Sequence, residues 1–259
     1  MANLKYQLYR ALRFALPATL QSRVAKASVS RPVRDWLFRP GGEEETVSGE
    51  VSWEDQQFAF TAPFQVFHRA ATRGIENRIC RLARSVLRPG DTAIDVGSSY
   101  GFITLVLAAG VQRQGVVVAM EIDPLIRRHL VRTIAANGLS EIVRVIPKGA
   151  GSADSAKLTT VDSIVIGEEL GKVSFLKIDV DGQDLAVLQG AAEVLKRLQP
   201  LVVVEMTQDQ DEIYETLLEA GYSHFMDQSN RPVRPDAWPP NLIASLEPVA
   251  VPPRGYLVG

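Results

Sequence analysis

From residue 74 onward the chain alternates short apolar runs with segments of helical spacing. The runs "TAIDV" (92–96), "VVVAMEI" (116–122), "IVRVIP" (142–147), "VSFLKIDV" (173–180), "PLVVVEM" (200–206) and "YSHFMD" (222–227) each predict a strand. Helical spacing predicts helices over 101–110, 124–137, 183–198 and 209–220, the second stopped by Asn137-Gly138. Residues 74–87 place Ile75, Ile79, Leu82, Ala83 and Val86 on one helical face and end at "RPGD". Short apolar strands alternating with helices predict a parallel sheet covered on both faces. The expected fold class is α/β, a doubly wound Rossmann-like sheet.

Ahead of this domain the pattern changes. "VSGEVSWEDQQFAFTAP" (47–63) alternates like a hairpin turning near Glu54-Asp55, and "RPGGEEE" (39–45) reads as a linker. Leu4, Leu8, Leu12 and Leu16 recur every four residues, so 4–16 predicts an amphipathic helix. The division expected is an extension over 1–73, made of a basic helical arm and a hairpin, and a domain over 74–259. A Pro-rich tail ends in further strand-like segments.

Composition narrows the class. With 259 residues, 46% of them hydrophobic, the chain can bury one large core. No window approaches the ~20 apolar residues of a membrane span. One cysteine, Cys80, excludes an intrachain disulfide framework and fits a reducing compartment, so a cytoplasmic location is expected. No secretory apolar segment is present, although the Arg-rich, acid-poor N-terminus also resembles an organelle transit peptide. His68, His129 and His224 show no zinc-ligand spacing and no triad, and are expected to be structural; His68 lies in the segment that could fold over an acceptor pocket. Residues 1–40 hold eight basic side chains against Asp35 alone, a net +7, which leaves −9 for the rest of a chain of net charge −2. The arm is expected to dock on its own acidic domain, with peripheral contact to an anionic membrane as the alternative; no nucleic-acid partner is expected.

Ligands of open α/β sheets bind beyond the carboxyl ends of the strands, which makes the strand-end residues the candidates. They are Asp95 and Gly97, Glu121, Gly149 to Gly151, Asp179 and Asp181, and Glu205. Acids at nearly every strand end repel phosphate and suit a cationic or hydroxyl-rich ligand. The dinucleotide fingerprint fails as well, because Ser99 and Phe102 stand where its second and third glycines belong. The stretch "IDVGSSYGFIT" instead gives acid-x-Gly-x-x-x-Gly, and Glu121 ends the next strand, where a carboxylate can accept both hydroxyls of a ribose. Asp95 would lie near a bound amino or sulfonium group. A nucleoside with a cationic arm and no phosphates fits this set, namely S-adenosyl-L-methionine, held by Asp95, Gly97, Ser98, Ser99, Tyr100, Gly101, Glu121, Ile122, Gly149 and Ala150.

The blocks "DTAIDVGSSYGFITLVLA", "VVVAMEIDP", "TTVDSI", "FLKIDVDGQDLAVLQGAAEVL" and "PLVVVEM" resemble the FkbM-type methyltransferases over roughly residues 76–205. The resemblance implies a class I S-adenosylmethionine enzyme, most often one that O-methylates sugars or natural products, with Gly97, Gly101 and Glu121 at cofactor positions. Its most specific piece is Lys177 to Gly182; Asp181 departs from the glutamate usual there, and so does the long basic N-terminus. From the residues themselves, Lys177 and Asp179 point to one side of their strand. Asp179, Asp181 or Glu205 could orient a hydroxyl acceptor or remove its proton. For Asp179 an ion pair with Lys177 or a helix cap stands against this role, for Asp181 an N-cap, and Asp162 reads as a helix start. Two carboxylates fall short of a metal site, so no metal is expected. The acceptor expected is a small molecule or glycan. A nucleotide-dependent oxidoreductase is disfavoured by the failed fingerprint, and a methyltransferase-like fold kept as a binding or scaffolding module is the competing function.

Overall fold

The computed structural model describes residues 46–255 except Asp236. The amphipathic helix of 4–16, the linker of 39–45 and the docking of the basic arm lie outside the described residues. The chain divides into two compact units after Gly74.

In the first unit, β1 (Thr46–Trp53) and β2 (Gln56–Pro63) form the antiparallel hairpin, turning at Glu54-Asp55 as the alternation predicts. It leads directly into α1 (Phe64–Arg73), a helix that no side-chain cap announces in the sequence. Phe64, Phe67 and Ala70 recur at helical spacing and are buried, and Phe67 stacks on Phe60 of β2 at 6.2 Å between ring centroids. Gly49 leaves room for that ring: a Cβ there would meet Phe67 at 3.0 Å.

The second unit begins with α2 (Asn77–Val86), whose Ile79, Cys80, Leu82 and Ala83 are buried. Then β3 (Thr92–Val96), α3 (Phe102–Val111), β4 (Val116–Met120), α4 (Pro124–Ala136) and β5 (Val143–Ile146) follow in the predicted alternation. Short β6 (Gly149–Ala150) and β7 (Leu158–Thr159) pair with each other and precede α5 (Val161–Gly167). After them come β8 (Phe175–Ile178), α6 (Asp184–Gln189), β9 (Leu201–Glu205), α7 (Gln210–Glu219), β10 (His224–Met226) and β11 (Asn241–Ser245). The main sheet has seven strands in the order β10-β11-β9-β8-β3-β4-β5. Five run parallel from β9 to β5, and β11 is antiparallel to both its neighbours. A mixed α/β fold with a central, largely parallel sheet is therefore the architecture. The strands β3, β4 and β8 are wholly or almost wholly buried, as a sheet covered on both faces requires.

One predicted helix is corrected. The segment 183–198 is not continuous: α6 stops at Gln189, and a π-type turn spans Val194–Leu198. Asp162, the second residue of α5, causes the break. Its N–H donates to the Gly190 carbonyl at 3.0 Å, and its carboxylate accepts from Glu193 N at 3.1 Å and Val194 N at 2.9 Å. The Val194 N–H and the Gly190 carbonyl would bond each other in an uninterrupted α-helix; Asp162 satisfies both instead. Asp162 does stand at a helix start, in the first turn of α5, whose cap is Thr160, accepting from Ser163 N at 2.9 Å.

Candidate active site

The order of strands reverses between β3 and β8, since β4 and β5 lie to one side of β3 and β9 to the other. A crevice forms beyond the carboxyl ends at such a switch point. Gly97 follows β3 there, with φ +78, and a Cβ on it would stand 2.0 Å from the carbonyl oxygen of Asp179, which follows β8. No side chain fits that gap, so the glycine is what lets the two strand ends meet. The turn continues through Ser98, whose hydroxyl donates to Asp95 O at 2.7 Å. It closes at Gly101, φ +89, where a Cβ would strike Leu130 of α4 at 2.6 Å. Tyr100 lies against His129 of α4, ring centroids 5.8 Å apart.

Glu121 follows β4 directly and its carboxylate is hung between two loops. Oε2 accepts from Ser99 N at 3.0 Å and Oε1 from Asp123 N at 2.8 Å. Each carboxylate oxygen keeps a second lone pair for a ligand hydroxyl. Asp123 in turn caps α4, accepting from Leu125 N at 2.7 Å and Ile126 N at 3.1 Å, with Pro124 in the first turn. Ile122 beside it is 48% exposed, unusual for so large an apolar side chain, and reaches to 3.1 Å from where a Cβ of Gly149 would be. The structure therefore brings together the glycine turn, Glu121, Ile122 and the Gly149-Ala150 strand along one side of the crevice. A carboxylate with free lone pairs beside an uncovered apolar surface suits the ribose and base of a nucleoside.

Asp95 does not face that side. It is fully buried: Oδ2 accepts from Thr104 Oγ1 at 2.6 Å, and Oδ1 is 3.8 Å from Lys177 Nζ. The carboxylate lies behind the glycine turn, whose Ser98 hydroxyl bonds the Asp95 carbonyl, and is itself turned to Thr104 and Lys177. Burial pushes the Asp95 carboxyl up, against the pull of Lys177 and Thr104. Lys177, only 3% exposed, also lies 3.0 Å from Asp179 Oδ2. Burial alone would lower this ammonium, but Asp95, Asp179 and Glu76 outweigh it and hold it above its ordinary value. The ion pair weighed for Asp179 is therefore present, yet Asp179 keeps 30% of its side chain exposed.

Asp179, Asp181 and Glu205 lie together at the ends of β8 and β9. Glu205 is pushed up to about 7, by burial first and then by Asp179, Asp184 and Asp181. Asp181 is exposed, with φ +46, and is not an N-cap; that position belongs to Gln183, without a side-chain bond. Asp184 was missed by sequence reasoning. It is 2% exposed, accepts from Val180 N at 3.2 Å, and its Oδ2 has no partner among the described residues. No sequence signal separates it from a solvated first-turn acid. Among the described residues no three His, Cys, Asp or Glu side chains are grouped to hold a metal ion. Of the histidines, His68 lies beside Phe64, ring centroids 6.0 Å apart, and His224 bonds Leu246 O through Nδ1 at 2.9 Å. Cys80 is fully buried, and burial followed by Glu76 and Asp95 pushes its thiol up, which removes it as a nucleophile.

Two family models match the chain. Residues 151–223 match the methyltransferase FkbM domain, and residues 61–173 match the protein-L-isoaspartate(D-aspartate) O-methyltransferase family. None of the curated proteins matches. Among solved structures, the methyltransferase FkbM from Methylobacillus flagellatus KT is 18% identical over 62% of this chain and 49% of its own, with a TM-score of 0.49. The SAM-dependent O-methyltransferase from Thermotoga maritima is 18% identical over 76% and 77%, TM-score 0.46. The TehB-like SAM-dependent methyltransferase from Corynebacterium glutamicum is 14% identical over 70% and 92%, TM-score 0.48. The chain thus spans about half the length of the Methylobacillus protein. Both family models describe methyltransferases, so the cofactor they imply is S-adenosyl-L-methionine. With the glycine turn at the switch point and Glu121 beside it, the chain is similar to the FkbM-type methyltransferases, a class I family.

Proposed function

We propose that the protein is an S-adenosylmethionine-dependent O-methyltransferase acting on a hydroxyl of a small-molecule or glycan acceptor. The observation that carries this is Glu121, held by Ser99 N and Asp123 N with lone pairs to spare, next to the exposed Ile122. Gly97 to Gly101, Glu121, Ile122 and Gly149-Ala150 would hold the cofactor. Bound there, S-adenosylmethionine supplies an activated methyl group whose bonding electrons leave with sulfur. The protein's share is positioning, exclusion of water and removal of the acceptor's proton. Asp179 and Glu205, at adjacent strand ends, would take that proton, and the exposed Asp181 would orient the acceptor. Acids rather than lysines or arginines at the strand ends favour a neutral, hydroxyl-bearing acceptor over a phosphorylated one. The division at residues 73/74 and a role for 1–40 in docking or peripheral membrane contact belong to the same proposal. The scaffold alternative is not favoured, because a scaffold has no need of a carboxylate fixed by two backbone N–H groups at the ribose position.

Calorimetry with S-adenosylhomocysteine tests the cofactor half. The native chain should bind it, and Glu121→Ala should weaken binding by roughly 10- to 100-fold, the worth of one or two charge-assisted hydrogen bonds. Equal affinity in a folded Glu121→Ala protein would refute the site. Labelled S-adenosylmethionine incubated with cell extracts, followed by mass spectrometry, would show whether the label arrives on oxygen.

A further inference from the structure

The geometry points to Asp179 and Glu205 acting as one base, taking up a single proton, the one the acceptor hydroxyl loses, and holding it between their two carboxylates. This rests on the proposed methyl transfer to oxygen. The residues stand one step past the last paired residues of β8 and β9, Ile178 and Val204, on adjacent parallel strands. The register places them opposite each other, where neighbouring strands run about 5 Å apart, and Asp179 is the charge that acts most strongly on Glu205. Glu205 Oε2 is buried, and no donor among the described residues reaches it. Two carboxylates so placed repel unless a proton lies between them, and with one they form a short, strong hydrogen bond.

The surroundings decide where that proton resides. Lys177 Nζ sits 3.0 Å from Asp179 Oδ2 and pairs with it. Among the described residues no cation pairs with Glu205. On its side the neighbours are the carboxylates of Asp184 and Asp181, and Asn241, paired with it across β11, adds no charge. Asp184, 2% exposed with Oδ2 unpartnered, adds a second negative field that cannot be relaxed by water. The proton is therefore carried on Glu205 and donated to Asp179. Its affinity, near neutral pH, suits a base that must both accept and release at physiological pH. The balance is simple. The ionised pair takes one proton from the hydroxyl as the new oxygen–carbon bond forms, its charge falls from two to one, and the partly exposed Asp179 side returns the proton to water.

The test uses the full chain with 13C-labelled glutamate, the Glu205 side-chain carboxyl signal being assigned by its loss in Glu205→Gln. In the native protein that carbon should titrate near neutral pH. Asp179→Asn removes the partner charge, and the midpoint should fall by more than ~1 pH unit. Asp181→Asn, at an exposed position, should move it much less. If Asp179→Asn does not fold, Asp179→Ser removes the same charge with a smaller side chain, and the Glu205 midpoint is read in that variant. A Glu205 midpoint in the ordinary carboxylate range of about 4–5, or one indifferent to Asp179, would overturn the shared proton. The two readings fail separately. Normal S-adenosylhomocysteine binding without a near-neutral midpoint removes the dyad alone, whereas a near-neutral midpoint without that binding removes the methyltransferase and leaves the dyad.

Discussion

At the scale of single residues, Gly97 answers two demands at once. Its φ of +78 disfavours any L side chain, and a Cβ would lie 2.0 Å from the Asp179 carbonyl, which is backbone and cannot swing aside. Gly97→Ala should therefore cost roughly 3 kcal/mol or more, seen as a fall in Tm of about 6 °C or more, together with loss of S-adenosylhomocysteine binding. Glu205 gives a pH-dependent counterpart. Its folded-state value, about 7, is raised above the ordinary 4.5, so the folded protein binds more protons than the unfolded chain between those values. Stability linked to this group is then present below about pH 4.5 and lost as pH rises through 7. Glu205→Gln, which cannot ionise, should have a higher Tm than the native protein at pH 8, by about 2–4 °C, with the gap closing at pH 5. A gap that widens towards acid would mean the opposite shift. Asp95 and Asp184 are also raised by burial and act in the same direction, so the difference between variant and native protein is the quantity to measure.

Among the elements, the most informative is the break between α6 and the π-type turn. An acid about thirty residues earlier in the chain supplies both halves of a missing helical hydrogen bond, the donor from its backbone and the acceptor from its side chain. Asp162→Ala leaves the Glu193 and Val194 N–H groups without that acceptor, and should cost ~1–2 kcal/mol, the usual loss for a cap. Tm should fall by about 3–6 °C while S-adenosylhomocysteine affinity is unchanged, because none of the hydrogen-bond partners of Asp162 belongs to the glycine turn or to Glu121. A change in affinity at constant Tm would show that Asp162 acts on the site. The π-type turn itself is not legible in the sequence, where 183–198 has unbroken helical spacing; Asp162 competes with it only once the chain has folded back. The hairpin is legible because its alternation is local, whereas α1 follows it directly with no turn signal to mark its start.

On the scale of the whole molecule, charge is the feature that the described fold does not absorb. The +7 of residues 1–40 faces −9 over the rest of the chain. Among the described residues no helix is long and apolar enough to cross a membrane. Sedimentation with phosphatidylserine vesicles separates the two roles expected for the arm. The full chain should stay in the supernatant at low salt, as the chain lacking residues 1–38 should. Pelleting of the full chain alone, reversed by high salt, would establish lipid attachment instead, each basic residue near the surface contributing about 1 kcal/mol.

The sequence by itself determined the alternation of strand and helix, the doubly wound sheet that follows from it, and the strand ends where a ligand belongs. These depend on period and on local residue type, and both are written along the chain. It also determined that Gly97, Gly101, Glu121, Asp179 and Glu205 fall at those ends. Tertiary structure decided which of them share surroundings. Asp95 and Asp179 look alike in the sequence, each an acid at a strand end, but Asp95 is sealed against Thr104 and Lys177 while Asp179 keeps one side open. Asp184, one more first-turn acid in the sequence, is buried beside Glu205. The protonation of a carboxylate follows its solvation and its nearest charges, and those come from β8, β9 and the loop after them meeting in space. No pattern along the chain encodes that meeting.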